Sequence, residues 1–287
     1  MTIERYYAPQ TLDEAAGFLA QGEVTILAGG TDLMVQSHSG KVKFKPVLMN
    51  IRRVAELQGI SLQGDVIRIG ALATITDLLN NAVVRQNLPA LRESADHFAS
   101  DQIRNAGTVG GSLCNASPAG DVAPPLMVCN AEVELVSKPN GSMKVRMLPL
   151  AEFFTGPGRT RMESSELLAA VRVPVPKSGY VARFLKFGTR PALDIATISI
   201  AIGGMKKGRA LHNVRVVLGA VAPVPLRAAL TEAALEGRDL DAELIDRVAR
   251  TAQEEIKPIS DVRASAWYRQ ELVHNMVKRM LTDVAQG

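Results

Sequence analysis

Two glycine-bearing segments constrain this chain more than any other feature: Leu27-Ala28-Gly29-Gly30-Thr31-Asp32-Leu33 and Gly107-Thr108-Val109-Gly110-Gly111-Ser112-Leu113-Cys114-Asn115. Adjacent glycines let the backbone approach a ligand or another segment with no Cβ in the way. Successive N–H groups in such turns form concavities that hold phosphate oxygens. The hydroxyls of Thr31, Thr108 and Ser112 add donors at the rim. Neither segment contains lysine or arginine, so a pyrophosphate held between them would meet neutral donors. Either segment alone reads more readily as a tight turn, because the chain has 23 glycines; the two together point to a dinucleotide. Neither is a GxGxxG after a first strand and GxxxxGK[ST] is absent, so a Rossmann domain and a P-loop are not supported.

The surrounding pattern predicts where these loops sit. Thr11 and Glu14 form a capping box that opens a helix through Ala15, Ala16, Phe18 and Leu19, and Val24–Ala28 reads as a buried strand running into the first glycine pair. Leu33, Met34 and Val35 begin a short helix before a strand at Val47–Ile51. A break near Gly59, alternation from Val66, a capped helix from Thr76 to Asn81 and a helix from Pro89 to about Ala99 follow, then a long glycine-rich loop over Asn105–Asp121. Glu132–Ser137 and Met143–Met147 flank Pro139-Asn140-Gly141, a hairpin signal, and Glu166–Pro174 adds a strand. Turn residues cluster over Pro174–Gly179, which places a domain boundary near 176. Beyond it come three strands, Tyr180–Phe187, Ala196–Met205 and Leu211–Leu218, with a turn at Lys206–Arg209. Helical periods follow at Arg227–Glu236, Asp241–Ile256 and Ala264–Val284. Strands followed by helices indicate an α+β chain.

Composition removes several classes. The 287 residues carry 33 basic and 29 acidic side chains with no block of like charge, so nothing resembles a nucleic-acid arm. Cys114 and Cys129 lack CxxC spacing, and His38, His97, His212 and His274 lack metal or triad spacing, so no metal site and no catalytic group is expected. With no signal-peptide pattern and no long apolar run, a cytoplasmic protein without a membrane span is the expectation.

The residues AGGTDLM (28–34) and TVGGSLCNASPAGD (108–121) resemble the FAD-binding medium subunits of bacterial molybdenum hydroxylases, including the corresponding domain of xanthine dehydrogenase, and the resemblance covers essentially the whole chain. It implies a two-subdomain FAD-binding fold of the vanillyl-alcohol-oxidase (PCMH) type over 1–176, with subdomains of about 1–56 and 57–176. A small α+β C-terminal flavoprotein domain, a three-stranded antiparallel sheet plus helices, would occupy 177–287. Carried over by position, it implies that Ala28, Gly29, Gly30, Thr31 and Asp32 wrap the FAD pyrophosphate, with Leu27 and Leu33 flanking. Thr108, Val109, Gly110, Gly111 and Ser112 would form the opposing wall. Phe98, Asp121, Leu168 and Lys186 match further cofactor-lining positions, and Ile195 falls where the xanthine dehydrogenase branch covers one face of the flavin ring. Carbon monoxide dehydrogenase has tyrosine at that position, which disfavours carbon monoxide as substrate.

Read without the resemblance, several of these residues have plainer roles. Phe98, Leu168 and Ile195 would be core residues, and Asp121 could cap a helix at Val122. Lys186, in an otherwise apolar strand, is either a buried cation with a partner or an exposed edge residue.

The function implied is that of an electron-transfer subunit. It would take electrons from a [2Fe-2S] cluster on a small partner and pass them to an external acceptor. A large partner holding the molybdenum cofactor would hydroxylate an aldehyde, N-heterocycle or similar substrate, in a dimer of heterotrimers. Two cysteines are too few for an Fe–S cluster here. A stand-alone flavoenzyme of the same fold, or a non-enzymatic module binding a phosphate ligand, are the competing readings.

Overall fold

In the computed structural model, which describes residues 3–190 and 193–286, three main sheets follow one another along the chain, with a fourth of only two strands. The first contains β1 (Arg5–Tyr7), β2 (Val24–Leu27) and β3 (Val47–Asn50), all parallel and in the order β1-β3-β2. The helices α1 (Leu12–Leu19) and α2 (Leu33–His38) connect them. Thr11 caps α1 by accepting from the Glu14 N–H at 3.2 Å, while the Glu14 carboxylate reaches back to the N–H of Gln10 rather than of Thr11. The capping box is therefore offset by one residue. Parallel strands need a crossover of a dozen or more residues, and α2 with its following loop supplies one, so β2 ends with its C-terminus free to turn into Gly29-Gly30.

The middle section holds β4 (Ile60–Gln63), β5 (Val66–Gly70), α3 (Ile75–Asn80), α4 (Ala82–Asn87), α5 (Pro89–Asp96), α6 (Asp101–Arg104), α7 (Val109–Asn115) and α8 (Ala123–Val128). Then come β6 (Glu132–Ser137), β7 (Lys144–Pro149), α9 (Leu150–Phe153), the small pair β8 (Phe154–Gly156) and β9 (Arg159–Thr160), and β10 (Leu167–Pro174). Its main sheet is antiparallel in the order β4-β5-β10-β6-β7. The central strand β10 reads LLAAVRV with little alternation because both faces are covered. Leu167 and Ala169 enter the core shared with α1 and β3, whereas Leu168, Val171 and Val173 enter the core beneath α3, α5, α7 and α8. The hairpin between β6 and β7 has Asn140 and Gly141 at positive φ (53° and 77°), as the Asn-Gly signal predicts.

Two local readings are corrected. The segment Asn105–Asp121 is not all loop, because Val109–Asn115 winds into α7, capped by the Thr108 hydroxyl, which accepts from the Gly111 N–H at 3.0 Å. The paired glycines hid that helix, since glycine lowers intrinsic helix propensity. The helix expected from Thr76 starts one residue earlier, at Ile75, with Thr74 and Asp77 forming a reciprocal box (3.0 and 2.8 Å). Thr74→Ala is expected to lower stability by about 1 kcal/mol in urea denaturation, the usual worth of such a cap.

The third sheet is antiparallel, β11 (Tyr180–Phe187), β12 (Ile198–Lys207), β13 (Ala210–Gly219) and β14 (Leu226–Arg227) in that order. It has four strands rather than the expected three. Arg227, expected at a helix start, ends β14 instead, and α10 runs Ala229–Leu235. The helices α11 (Ala242–Glu255) and α12 (Ala266–Gln286) complete the layer. One face of this sheet packs under them through Ile198, Ile200, Val216 and Leu218, and the other contributes Ala182, Phe184, Ala201 and Val217 to the middle core. Along β11 the even-numbered residues therefore point toward α5 and α8, and Lys186 is one of them. Among the described residues no helix is long and apolar enough to cross a membrane, and no group of three His, Cys, Asp or Glu could hold a metal ion.

Candidate functional site

The two glycine segments meet. A cleft of about 290 Å³ is walled by Ala28, Gly29, Gly30, Thr31, Asp32 and Leu33 from the first, and by Gly107, Thr108, Gly110, Gly111 and Ser112 from the second. Phe98 and Leu168, expected from the sequence, also line it. So do Cys114 and Asn115 from the end of the second segment, and Ile26, Gln36, Ile51, Ala71, Leu72, Met162 and Leu167, which sequence reasoning did not single out. Strand ends and turns carry most of these, and an apolar residue at a strand end gives no sequence sign of facing a cleft rather than core. Leu167 and Leu168 open β10 and enter different cores, and both border the cleft.

The two loops differ in chemistry. Among the described residues the N–H groups of Gly29, Gly30, Thr31 and Asp32 donate to no protein acceptor, so four consecutive donors are available. The second loop has one to spare among the described residues, that of Thr108. Val109 and Gly110 donate to the carbonyls of Ala73 and Ala71 (both 2.9 Å), Gly111 to Thr108 Oγ1 and Ser112 to the Thr108 carbonyl. It offers a flat glycine backbone and the Ser112 hydroxyl. This geometry suits a pyrophosphate, whose oxygens are acceptors only, placed on the first loop with the second loop as its opposite wall.

The glycines also serve the protein itself. A Cβ at Gly29 would overlap the Ala106 carbonyl oxygen, and one at Gly110 would lie 2.7 Å from Ala71 Cβ. Gly30 adopts a φ of 78°, in the left-handed region. Gly29 is needed because the first loop rests directly on the second.

Lys186 and Asp121 form a buried ion pair beside this cleft. Lys186 Nζ donates to Asp121 Oδ2 at 2.7 Å and to the His97 carbonyl at 3.0 Å, one residue before Phe98. Both side chains are under a tenth exposed. Burial pushes the Asp121 carboxyl up to about 6 against the opposing pull of the Lys186 ammonium. Asp121 does not cap a helix through its side chain, and its Oδ1 has no partner among the described residues. Of the two readings for Lys186, the buried cation with a partner is the one observed.

Besides Asp121 and Lys186, three further expected residues do not line the cleft. Val109 is fully buried in the core behind α7. Leu27 ends β2 beneath the first loop, with its Cδ1 close under Gly30. Ile195 is half exposed in the segment between β11 and β12, where the Asp194 carboxylate accepts from Thr189 Oγ1 and the Arg190 N–H. Its plainer reading as a core residue is thus set aside. Pro191 and Ala192, which precede this segment, lie outside the described residues. The titratable groups on the cleft wall are Asp32 and Cys114, and burial raises both, the thiol to about 12. The thiol therefore stays protonated at neutral pH. A second, more open hollow of about 580 Å³ shares Gly29, Leu72 and Thr108 with the cleft, and its wall includes the polar residues Arg52, Asp77, Asn80, Asn81 and Asn105.

Comparison with known proteins gives this geometry a family. Residues 1–176 match the FAD binding domain of molybdopterin dehydrogenases, and residues 183–284 match the C-terminal domain of the carbon monoxide dehydrogenase flavoprotein. The chain is 32% identical over 281 residues to the xanthine dehydrogenase FAD-binding subunit of Escherichia coli O157:H7, covering 97% of this chain and 94% of that protein. Carbon monoxide dehydrogenase from Hydrogenophaga pseudoflava superposes with a TM-score of 0.90 at 32% identity, over 97% of this chain and 96% of its counterpart. Quinoline 2-oxidoreductase from Pseudomonas putida 86 superposes with a TM-score of 0.91 at 28% identity, over 100% and 99%. The chain belongs to the family of FAD-binding medium subunits of molybdenum-containing dehydrogenases, as an oxidoreductase subunit whose FAD-binding domain precedes a C-terminal flavoprotein domain.

Proposed function

We propose that FAD lies non-covalently in the cleft between the two glycine loops and that this chain carries electrons between partners without oxidising an organic substrate itself. The observation that carries the reading is the row of four unpaired N–H groups from Gly29 to Asp32, facing a second loop whose own amides, apart from that of Thr108, are spent. Bound there, FAD supplies redox chemistry that accepts electrons singly or in pairs. Ala28 to Asp32 hold the pyrophosphate, flanked by Leu27 and Leu33, with Thr108 to Ser112 opposite. Val109 contributes by packing α7 in place. Phe98, Leu168, the Asp121–Lys186 pair and Ile195 complete the surroundings, within a cofactor unit ending near residue 176 and a C-terminal unit beginning beyond it.

Electrons arrive from a [2Fe-2S] cluster on a small partner and leave to an external acceptor. A large partner carries the molybdenum cofactor and hydroxylates an aldehyde, an N-heterocycle or a similar compound. The assembly is a dimer of heterotrimers working in the cytoplasm. The residue at 195 is isoleucine, which favours a substrate other than carbon monoxide.

The test is the visible spectrum of the purified chain with acid release of its chromophore. One FAD per chain, negligible turnover alone and copurification with a large and a small partner are the expected results. A colourless protein that cannot be reconstituted with FAD would overturn the assignment and favour a module for another phosphate ligand.

A further inference from the structure

Across the cleft from each other, α2 and α7 are joined by a single side-chain hydrogen bond. Gln36 Nε2 donates to Asn115 Oδ1 at 2.8 Å, between residues 79 apart in the chain. Both side chains are half-buried and both line the cleft. Asn115 is the last residue of α7 and Thr108 caps its first turn, so the bridge lies about 10 Å along the helix from that end of the glycine wall.

A primary amide carries one acceptor oxygen and two donor hydrogens on nitrogen. With one donor and one acceptor engaged in the bridge, Gln36 Oε1 and Asn115 Nδ2 remain free for a ligand. If both amides rotate, Gln36 Nε2 and Asn115 Oδ1 become the free pair instead. In either orientation the bridge presents one acceptor beside one donor. Adenine offers the complement, an amino donor next to a ring-nitrogen acceptor, the pattern that Asn and Gln read in nucleic acids. The flavin ring edge has a different pattern, acceptor, donor, acceptor, and it gains negative charge on reduction. That suits the neighbourhood of the Lys186 ammonium beside Phe98 better than a neutral amide pair. The flanking cleft residues Cys114, Met162 and Leu168 are apolar or effectively so, and would cover the faces of a flat base.

We infer that the Gln36–Asn115 bridge reads the adenine edge of the cofactor and is what makes this cleft select a dinucleotide over a mononucleotide flavin. The inference rests on the placement of FAD in this cleft. Gln36 and Asn115 are then specificity-determining residues, and the bridge also ties the helix after the first loop to the helix of the second.

The experiment is calorimetric titration of the flavin-free full chain with FAD, FMN and ADP, for the wild type and for Gln36→Leu and Asn115→Leu. The wild type is expected to bind FAD and ADP, and FMN only weakly. Each variant is expected to lose ten- to a hundredfold in affinity for FAD and ADP with FMN binding unchanged, so that selectivity collapses. Equal weakening of FAD and FMN would mean that the bridge is only a brace, or that it meets the flavin ring, and would overturn the inference, as would unchanged FAD affinity in both variants. If the wild type binds none of the three ligands, the cleft assignment itself fails and the inference falls with it.

Discussion

Lys186→Met is expected to destabilise the folded chain by about 3–5 kcal/mol at pH 8, the usual cost of removing one partner from a buried ion pair. Asp121 is left in a site with less than a tenth of its side chain exposed, and one of its oxygens already has no partner among the described residues. The loss should depend on pH in a definite direction. Burial places the wild-type Asp121 carboxyl at about 6, above its ordinary value, so the folded state binds this proton more readily than the unfolded state does. Between roughly pH 4 and 6 this group's contribution to stability falls as pH rises, and above 6 the full penalty is present. Without the ammonium the folded value moves higher still, and the window extends upward. The deficit of Lys186→Met relative to wild type should thus be largest at pH 8 and smaller at pH 5, measured by urea denaturation. Lys186→Met combined with Asp121→Leu should recover most of the loss, because it removes the stranded charge. A deficit independent of pH, with no recovery in the double variant, would show that packing rather than charge burial sets the cost.

Gly29→Ala is expected to be the most damaging single methyl addition at the glycine loops. The new Cβ would overlap the Ala106 carbonyl oxygen and sit 3.2 Å from the Gly107 Cα. Both neighbours are backbone, so no rotamer change can relieve the clash and the loops must part. Overpacking of this kind costs about 1–3 kcal/mol and sometimes more. Gly30→Ala meets only flexible side chains, Leu27 and Met34, at 3.2 and 3.6 Å, and its cost is the left-handed φ of 78°, about 1–2 kcal/mol. The expected order in denaturation midpoint is wild type, then Gly30→Ala, then Gly29→Ala, with flavin content lowest in the last. A reversed order would show that the meeting of the loops is not what requires glycine at 29.

Much of this arrangement is legible along the chain because it depends on near neighbours. The Thr11 cap, the strand running into Gly29, the Asn140-Gly141 turn and the C-terminal order of strands then helices are local patterns, and they stand within a few residues of expectation. Residues that contact only sequence neighbours can be read from spacing and propensity. The helix over Val109–Asn115 could not be, since its glycines are required by packing against Ala71 and by the Thr108 cap, not by local preference. The short strands β8, β9 and β14 exist through their pairing partners.

The site divides along the same line. Sequence alone determined that two glycine loops with neutral donors were present, and, through the resemblance they carry, the family. Tertiary structure decided which loop has amides to give. That depends on whether Val109 and Gly110 find acceptors at Ala73 and Ala71, more than thirty residues away. It also decided that Lys186 is buried against Asp121, since a strand with both faces covered hides which side each residue takes, and that Gln36 and Asn115 meet. Contacts between distant residues are set by how sheets and helices stack, and no window of sequence contains both partners.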